Sequence, residues 1–283
     1  MIPTAYRVSK RHKVLWATMK FMAANDPVGL RTKKWDRAVI KATVDRRKLM
    51  LEHSAADAFG DFFEEQRKAV QRALPSRLRV FQAVKGTVGG LAETYKNVVL
   101  DVVSSYGPWA ASHFGLIAKA PDPFREPMIE WIRQNAATRV AGINQTTREQ
   151  IRDILAEATE EGDSVQEIAR SLDDLYLDDI IPNRSMTIAR TEVGNAANFA
   201  SHEAATQLGV PMKKTWNTLG DAFVRDTHAD ADGQTVKDEE PFEVGEDQLL
   251  WPGDISLGAG PEEVINCRCF LTWEPADEDE DES

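Results

Sequence analysis

Cysteine is scarce in this chain, which has only Cys267 and Cys269 among its 283 residues. A disulfide-stabilised secreted scaffold needs more cysteines, and two that are separated by one residue are too close for an unstrained disulfide. A signal peptide is not indicated either, because Lys20 interrupts the apolar stretch at residues 14–24. We therefore expect a protein of a reducing compartment, the cytosol.

Long apolar runs are missing as well. The uncharged stretch at residues 102–118 contains three serines, a Gly-Pro pair and a histidine, and it is shorter than the ~20 apolar residues that cross a bilayer. The hydrophobic share of 42% and the charged share of 28% are typical of a globular protein in water. The sequence predicts no membrane partner, and it excludes a membrane bundle, a collagen and a wholly disordered chain.

Basic residues are few in the second part of the chain. Residues 1–150 contain 25 Lys and Arg against 14 Asp and Glu, whereas residues 151–283 contain 9 against 32. The formal net charge of −12 therefore combines +11 with −23. Such a division predicts that the two parts face different partners.

The first fifty residues are strongly basic, with 13 Lys and Arg against three Asp. Trp16, Phe21 and Trp35 lie among these charges, and basic groups between aromatic rings suit a surface for DNA or for an acidic protein. A solvated basic helix explains the same pattern equally well. The candidate binding residues are Lys10, Arg11, Lys13, Lys33, Lys34, Arg46, Arg47 and Lys48.

The spacing of apolar residues predicts a helical first part, with helices at residues 35–74, 90–119 and 124–141. Capping boxes that begin at Thr146 and Ser164 indicate two further helix starts. Pro182 is expected to open a long helix, since proline needs no N–H donor at a first helical position.

A polar stripe runs along this long helix at Thr191, Asn195, Asn198 and His202, which share one face. The stripe could contact the loops that follow or a partner. A solvated face is the favoured interpretation, because most polar stripes of helices face water.

The chain after the long helix is rich in turns. Short strands are predicted at residues 215–219, 234–236 and 264–273, and an Asp-Gly pair at residues 232–233 predicts a turn between the first two. The fold class is therefore α+β: a mostly helical N-terminal region is followed by a smaller α+β domain with short antiparallel strands. The acidic residues 274–283 are expected to be a disordered tail.

An ordered set of motifs occupies the last hundred residues. It comprises Ile188-Ala189-Arg190-Thr191-Glu192, Lys214-x-Trp216, Asp221-x-x-x-Arg225-x-x-His228, Asp232-Gly233-Gln234, Pro241-Phe242, Pro252-Gly253-Asp254 and Glu263-x-Ile265-Asn266-Cys267-Arg268-Cys269. In this order and spacing, residues 145–273 resemble the Mu F-like phage head morphogenesis family, the minor head proteins of tailed bacteriophages. Residues 1–140 resemble that family only in being helical and in their position.

The resemblance implies a structural role in assembly rather than catalysis. Its implied partners are the phage portal protein, the major capsid or scaffolding protein and DNA. It implies a place inside the phage head of the virion, after assembly in the host cytoplasm, and a part in DNA packaging or ejection. The expected organisation is a basic helical region at residues 1–144 that contacts the portal, capsid or DNA, a Mu F-like domain at 145–273, and the tail.

A metal site is one interpretation of His228, Cys267 and Cys269. Residues two apart in a strand point to the same side, so both thiolates could face one ion with His228 as a third ligand. Zinc is the metal that sulfur and imidazole ligands favour, with an aspartate such as Asp221, Asp226 or Asp254 as a possible fourth ligand. Two buried thiols that only fill a strand face are the commoner case. The expectation is that no cofactor is needed, with zinc as the alternative.

A network of charged side chains is predicted beside this cluster, with the members Arg190, Glu192, Asp221, Arg225 and Asp254. Arg225 has the planar fork to bind Glu192 or Asp254 through two hydrogen bonds. The rival interpretation is a His- or metal-dependent nuclease acting on phage or host nucleic acid, with His228 moving a proton and Arg225 holding a phosphate. Structural ion pairs are commoner than catalytic sets, so the prediction is a non-enzymatic head protein.

Overall fold

The computed structural model describes residues 37–113, 125–207 and 211–276. Contacts along the chain divide it into two units, Met1–Ile40 and Lys41–Ser283. Five of the predicted basic binding residues lie outside the described residues: Lys10, Arg11, Lys13, Lys33 and Lys34. The partner surface predicted from them stays a prediction.

Eight α-helices, one π-helix and five strands cover the described residues. The first helices are α1 (Arg37–Ala73), α2 (Arg77–Gly86), α3 (Val88–His113), α4 (Arg125–Glu161) and α5 (Val165–Asp174). The π-helix (Leu175–Arg184), α6 (Ser185–Thr206), β1 (Met212–Asn217), α7 (Asp226–Asp230) and β2 (Thr235–Lys237) follow. The last elements are β3 (Phe242–Val244), β4 (Asp247–Leu249), α8 (Pro261–Val264) and β5 (Phe270–Pro275).

The α+β fold class is confirmed, because helices precede a part with short antiparallel strands. Strand β1 is the centre of a three-stranded antiparallel sheet in the order β2-β1-β5, and β3 and β4 form a separate hairpin. None of the helices in the described ranges is long and apolar enough to cross a membrane.

Two helix boundaries follow the local rules that predicted them. Helix α1 ends at Ala73, just before Pro75, which has no N–H for a further helical hydrogen bond. At α5, Ser164 accepts a hydrogen bond from the Glu167 backbone N–H, and the Glu167 side chain accepts from the Ser164 N–H. The second capping box is therefore confirmed.

The first capping box is wrong. Helix α4 runs unbroken from Arg125 to Glu161, and Thr146 donates from Oγ1 to the Gly142 carbonyl inside it. A threonine in a helix interior often makes this bond to the carbonyl four residues earlier, which satisfies the hydroxyl without ending the helix. The boundary predicted between residues 144 and 145 falls within α4, and the division into domains stays a prediction.

Pro182 does not open a helix, contrary to prediction. It lies inside the π-helix, and α6 begins three residues later at Ser185. The Ser185 N–H donates to the carbonyl of Ile180, five residues earlier, and its hydroxyl donates to the same carbonyl at 3.1 Å. The wider π turn accommodates a residue without an N–H donor between two helices that remain continuous.

The strand predicted at residues 264–273 is shorter and starts later. Residues 261–264 form α8, and β5 begins only at Phe270. Cys267 and Cys269 therefore lie in the non-helical segment between them and not in a strand. Glu274, predicted in the disordered tail, pairs instead with Lys213 of β1.

Helix α6 lies at the centre of the packing. Its most extensive contacts are with α3, and it also packs against α4, the π-helix and β5. Sixteen of its 22 residues are buried, so it has almost no solvent-facing side. Its alanines let neighbours approach closely, and Ala189, Ala196, Ala200 and Ala204 are all inaccessible to solvent.

The prediction that the polar stripe of this helix faces water is wrong. Thr191, Asn195 and Asn198 are buried. Each binds the chain that follows β4: Thr191 Oγ1 accepts from the Asn266 N–H at 2.8 Å, and Asn195 Oδ1 accepts from the Trp251 indole N–H at 2.9 Å. The stripe therefore holds loops, which was the less favoured of the two interpretations.

Asn198 makes the most connected of these contacts. Its Nδ2 donates to the carbonyl of Pro252 at 3.0 Å and to that of Cys269 at 3.1 Å. These carbonyls belong to two separate segments of the chain that follows α6, residues 212–275, which we call the turn-rich region. One amide thus links both segments to α6 in a buried environment, where an unpaired carbonyl is costly.

We expect Asn198→Ala to lower the free energy of unfolding by about 1–3 kcal/mol, because the Pro252 carbonyl loses this donor and the Cys269 carbonyl keeps only Lys48. Urea titration followed by circular dichroism measures this change. Thr206→Ala is the matched control, since Thr206 is exposed at the end of the same helix and bonds only the His202 carbonyl. Equal stability of the two variants would contradict the anchoring role of Asn198.

Candidate functional site

The structure brings together the three residues that the sequence proposed as metal ligands. His228 lies on α7, and its Nδ1 is 3.4 Å from Cys269 Sγ and 3.7 Å from Cys267 Sγ. The side chains are buried, with 2%, 5% and 3% of His228, Cys267 and Cys269 exposed. The Trp216 indole and the imidazole pack nearly perpendicular to each other, with ring centres 5.5 Å apart. We call these three residues the His–Cys cluster.

A carboxylate lies on the opposite side of the imidazole. His228 Nε2 is 2.9 Å from Glu263 Oε2, although the ring N–H is not aligned for a hydrogen bond to this oxygen. Thr227 donates from Oγ1 to the same Glu263 oxygen at 2.8 Å. Glu263 is itself buried, so this acid is positioned by its neighbours and not by solvent.

The pKa values of the two cysteines are shifted in opposite directions. A hydrogen bond from the Cys269 thiol lowers the pKa of Cys267 well below its usual value, and His228 adds to this effect. The same interaction raises the pKa of Cys269, and burial raises it further. Burial opposes protonation of His228, but its hydrogen bond to Cys267 and the charge there outweigh this, so its pKa is raised. The cluster therefore favours a thiolate at Cys267, which interacts with the Cys269 thiol and with the His228 imidazole.

Lys48 does not fit the predicted binding surface for nucleic acid or an acidic protein. Only 3% of its side chain is exposed, and its Nζ donates to the Cys269 carbonyl at 3.2 Å. Arg46 is exposed, as a binding residue requires, while the Arg47 guanidinium lies over the Trp109 ring at 4.8 Å from its centre. Lys48 therefore supports the interior of the protein beside the His–Cys cluster.

The predicted charge network does not form around Arg225. Arg225 donates to the backbone carbonyl of Ile265 and not to Glu192 or Asp254. Asp254 instead accepts from the Leu250 N–H at 3.2 Å and from Ser256, so it fixes its own loop. A carboxylate that has satisfied its lone pairs in a tight loop has little capacity left for a distant arginine.

The other predicted members of the network form separate pairs. Arg190 binds Glu52 at 3.2 Å, and Asp221 binds Arg268. Glu192 lies 3.4 Å from the Arg139 guanidinium, which also donates to the Gly253 carbonyl at 2.9 Å. Burial raises the pKa of Glu192 despite this arginine. The pairs join α6 to α1 and to α4, Arg139 also reaches the Gly253 loop, and Asp221 and Arg268 pair within the chain that follows α6, so they are structural braces.

Three partners of these groups were not found by sequence reasoning: Lys48, Arg139 and Glu263. Each is far from its partner along the chain, by 221 residues for Lys48 and Cys269. Only the spacing of Glu263, four residues before Cys267, carried a signal, because a carboxylate beside a Cys-x-Cys segment is a natural neighbour of a ligand histidine.

Comparison with known proteins identifies the part of the chain that contains the cluster. Residues 149–272 match the family model described as phage Mu protein F like protein. These residues form a Mu F-like region. The predicted resemblance is thereby confirmed, and it relates the chain to bacteriophage head proteins.

Two curated proteins are similar to this chain over part of their length. Over 148 residues it is 31% identical to the uncharacterized protein YqbB of Bacillus subtilis (strain 168), which covers 51% of this chain and 47% of YqbB. Over 112 residues it is 33% identical to the NAD(+)--arginine ADP-ribosyltransferase EFV of Enterococcus faecalis (strain ATCC 700802 / V583), covering 38% of this chain and 22% of that protein. The chain thus spans less than half the length of either relative. No solved structure matches it.

A second histidine of the Mu F-like region is held in a neutral form. His202 lies between the rings of Trp251 and Trp273, at 5.1 and 5.6 Å from their centres. Burial lowers its pKa to about 4, and the charge of Lys214 contributes to the shift. In the unfolded chain the imidazole pKa is about 6.5. Acidification from pH 6.5 towards 4 therefore favours the unfolded state, which binds the proton first.

We expect His202→Phe to remove this part of the pH dependence while keeping an aromatic ring between the tryptophans. The wild-type free energy of unfolding should fall by about 1–2 kcal/mol more than that of the variant between pH 7 and pH 5. Urea titration at the two pH values measures the difference. His53→Phe, on an exposed face of α1, should retain the wild-type dependence. Identical pH profiles for the wild type and His202→Phe would contradict this role.

Proposed function

We propose that this chain is a minor head protein of a tailed bacteriophage that acts in procapsid assembly without catalysis of its own. In this proposal it binds the portal protein and the inner surface formed by the major capsid or scaffolding protein, and it resides in the head interior of the virion. A role in DNA packaging or ejection follows from that location. The match of residues 149–272 to the Mu F-like family is the observation that carries the proposal.

The arrangement of the histidine supports a structural role over a nuclease. A general acid or base must come within hydrogen-bond distance of its substrate. His228 is 98% inaccessible and lies between two sulfurs and a carboxylate, so a phosphodiester has no route to it in this conformation. Arg225, the proposed phosphate ligand, already donates to a backbone carbonyl.

The transferase activity in the name of the Enterococcus relative does not support an enzymatic function for this chain. The shared segment makes up 22% of that protein, so most of it lies outside the similarity. Function depends on the residues of a site and not on a shared region alone. The proposal therefore draws on the Mu F-like region and not on that activity.

The charge division supports separate contacts for the two parts. The excess of basic residues up to residue 150 suits an acidic protein face or the DNA backbone, whereas the acidic remainder does not. Of the candidate residues that the structure describes, Arg46 retains an exposed side chain. The portal contact is therefore assigned to the basic N-terminal part.

Co-expression of the full chain with the portal protein of the same phage tests the proposal. We expect the two to co-purify at low salt and to separate as salt rises, because charge-based contacts are screened. Lys10, Arg11 and Lys13 changed together to Glu should weaken retention. The matched control changes Arg152, Arg170 and Lys237 to Glu, which alters the net charge equally at exposed positions of α4, α5 and β2, outside the basic N-terminal part.

Two outcomes would contradict the proposal. The first is portal protein that purifies without this chain at every salt concentration, including in the presence of capsid and scaffolding proteins. The second is cleavage of DNA or RNA by the purified chain with Mg²⁺, Mn²⁺ or Zn²⁺, provided that His228→Gln abolishes cleavage without unfolding the protein. The second result would establish the nuclease instead.

A further inference from the structure

We propose that His228 Nδ1, Cys267 Sγ and Cys269 Sγ bind one zinc ion that joins α7 to the segment before β5. This inference does not depend on the proposed role in the phage head. It rests on the distances within the His–Cys cluster, on the carboxylate behind the histidine and on the charges that surround the three ligands.

The distances fit a tetrahedral zinc ion. With Zn–N of about 2.0–2.1 Å and Zn–S of about 2.3 Å, a tetrahedral ion holds its nitrogen and sulfur ligands about 3.5 Å apart. The two nitrogen–sulfur distances here are 3.4 and 3.7 Å, and the three ligand atoms lie within 4.8 Å of one another. An ion can therefore bind without a rearrangement of the surrounding backbone.

The ring orientation of His228 is that of a zinc ligand. A metal-binding histidine almost always directs its second nitrogen towards a carboxylate, a carbonyl or water, which fixes the ring and makes the ligand nitrogen more basic. Glu263 occupies this place, at 2.9 Å from Nε2, and Thr227 holds the carboxylate.

The backbone beside the cysteines is anchored independently of any ion. The Cys269 carbonyl accepts from Lys48 Nζ and from Asn198 Nδ2. The Cys267 carbonyl lies against Gly194 of α6, where an added Cβ would be only 3.2 Å from the carbonyl oxygen. The sulfurs are thus presented to His228 by a rigid frame, which reduces the entropy lost on metal binding.

The charges balance when zinc is bound. Two thiolates neutralise Zn²⁺, a neutral imidazole adds none, and buried Lys48 and Glu263 have opposite charges. A buried site with no net charge avoids the desolvation cost of an unpaired ion. Without the metal, the same space holds the two sulfurs, at 3.4 and 3.7 Å from His228 Nδ1.

The fourth position of the ion is not filled by the aspartates that the sequence suggested. Asp221 pairs with Arg268, Asp254 fixes its own loop, and Asp226 is exposed at the start of α7. In the described part of the chain, only the three residues of the His–Cys cluster converge. Water is the expected fourth ligand, since zinc sites with three protein ligands keep a solvent molecule there.

The experiment uses the full chain, purified without chelators and dialysed against metal-free buffer. We expect elemental analysis to find about one zinc per chain. A thiol-specific mercurial should release the zinc, detected with a metal-sensitive dye, in step with titration of the chain's two cysteines. Removal of the metal with a strong chelator should lower the Tm by roughly 5–10 °C, because bound metal stabilises only the folded state.

Substitution at Glu263 separates a metal site from simple packing. Glu263→Gln keeps the size of the side chain and should weaken zinc affinity by about 10–100-fold, the usual loss when such a partner is removed. Glu262→Gln is the matched control, because this neighbour on α8 is exposed. Cobalt bound in place of zinc should show thiolate-to-metal charge-transfer absorption, which Cys267→Ser reduces by about half or more, because one of two thiolates is lost, and which His53→Ala retains.

Several outcomes would overturn the proposal. One is wild-type protein that holds no zinc after incubation with the metal and whose Tm a chelator leaves unchanged. Another is zinc that binds equally well to Cys267→Ser, which would show an adventitious ion elsewhere. Equal zinc affinity for Glu263→Gln and Glu262→Gln would exclude Glu263 as the partner of His228. The measurements on wild-type protein decide the question even if the cysteine variants do not fold.

Discussion

Burial of the polar helix Ser185–Thr206 is the constraint on which the rest of the structure depends. A helix with almost no exposed side must satisfy every polar side chain from within the protein. Its neighbours on one side are helices, which supply apolar contacts and the Arg139 brace to Glu192. On the other side the neighbours are turns, which supply backbone N–H and carbonyl groups. The helix therefore combines apolar residues, which pack against the neighbouring helices, with polar residues, which bind the turns.

The turn-rich region acquires its geometry from this helix. Its strands are three to six residues long, too short to fix their own arrangement. Thr191, Asn195 and Asn198 instead hold two separate segments of the chain, residues 251–252 and residues 266–269, through four hydrogen bonds. The position of Cys269 opposite His228 follows from one of these contacts. Helix α6 and the candidate metal site are thus connected directly by a hydrogen bond.

The sequence predicts a feature correctly where the contacts that stabilise it join residues close together along the chain. The Ser164 capping box involves atoms three residues apart, so its prediction needed no knowledge of the fold. The convergence of His228 with the two cysteines is not local, and the sequence suggested it only through the ligand chemistry of these residue types. The fold class was predicted from the spacing of apolar residues, and the Mu F-like region from the ordered set of motifs.

Signals that depend on distant partners were misread. Asn198 has the same residue type and helical spacing whether its face meets water or loops, and only the packing of α6 decides between them. Lys48 belongs to a basic sequence, yet it binds a carbonyl 221 residues away. The planar fork of Arg225 predicts a carboxylate partner, but the guanidinium binds the backbone carbonyl of Ile265 instead. Such contacts become visible only in three dimensions.

Native-state amide hydrogen exchange followed by mass spectrometry tests most directly whether the helix and the loops form one unit. We expect peptides from residues 242–275 to become exposed with the same opening free energy as peptides from residues 185–206, since opening either breaks shared hydrogen bonds. Rapid exchange throughout residues 242–275 while residues 185–206 stay protected would contradict this account. The loops would then be ordered independently of the polar face of the helix.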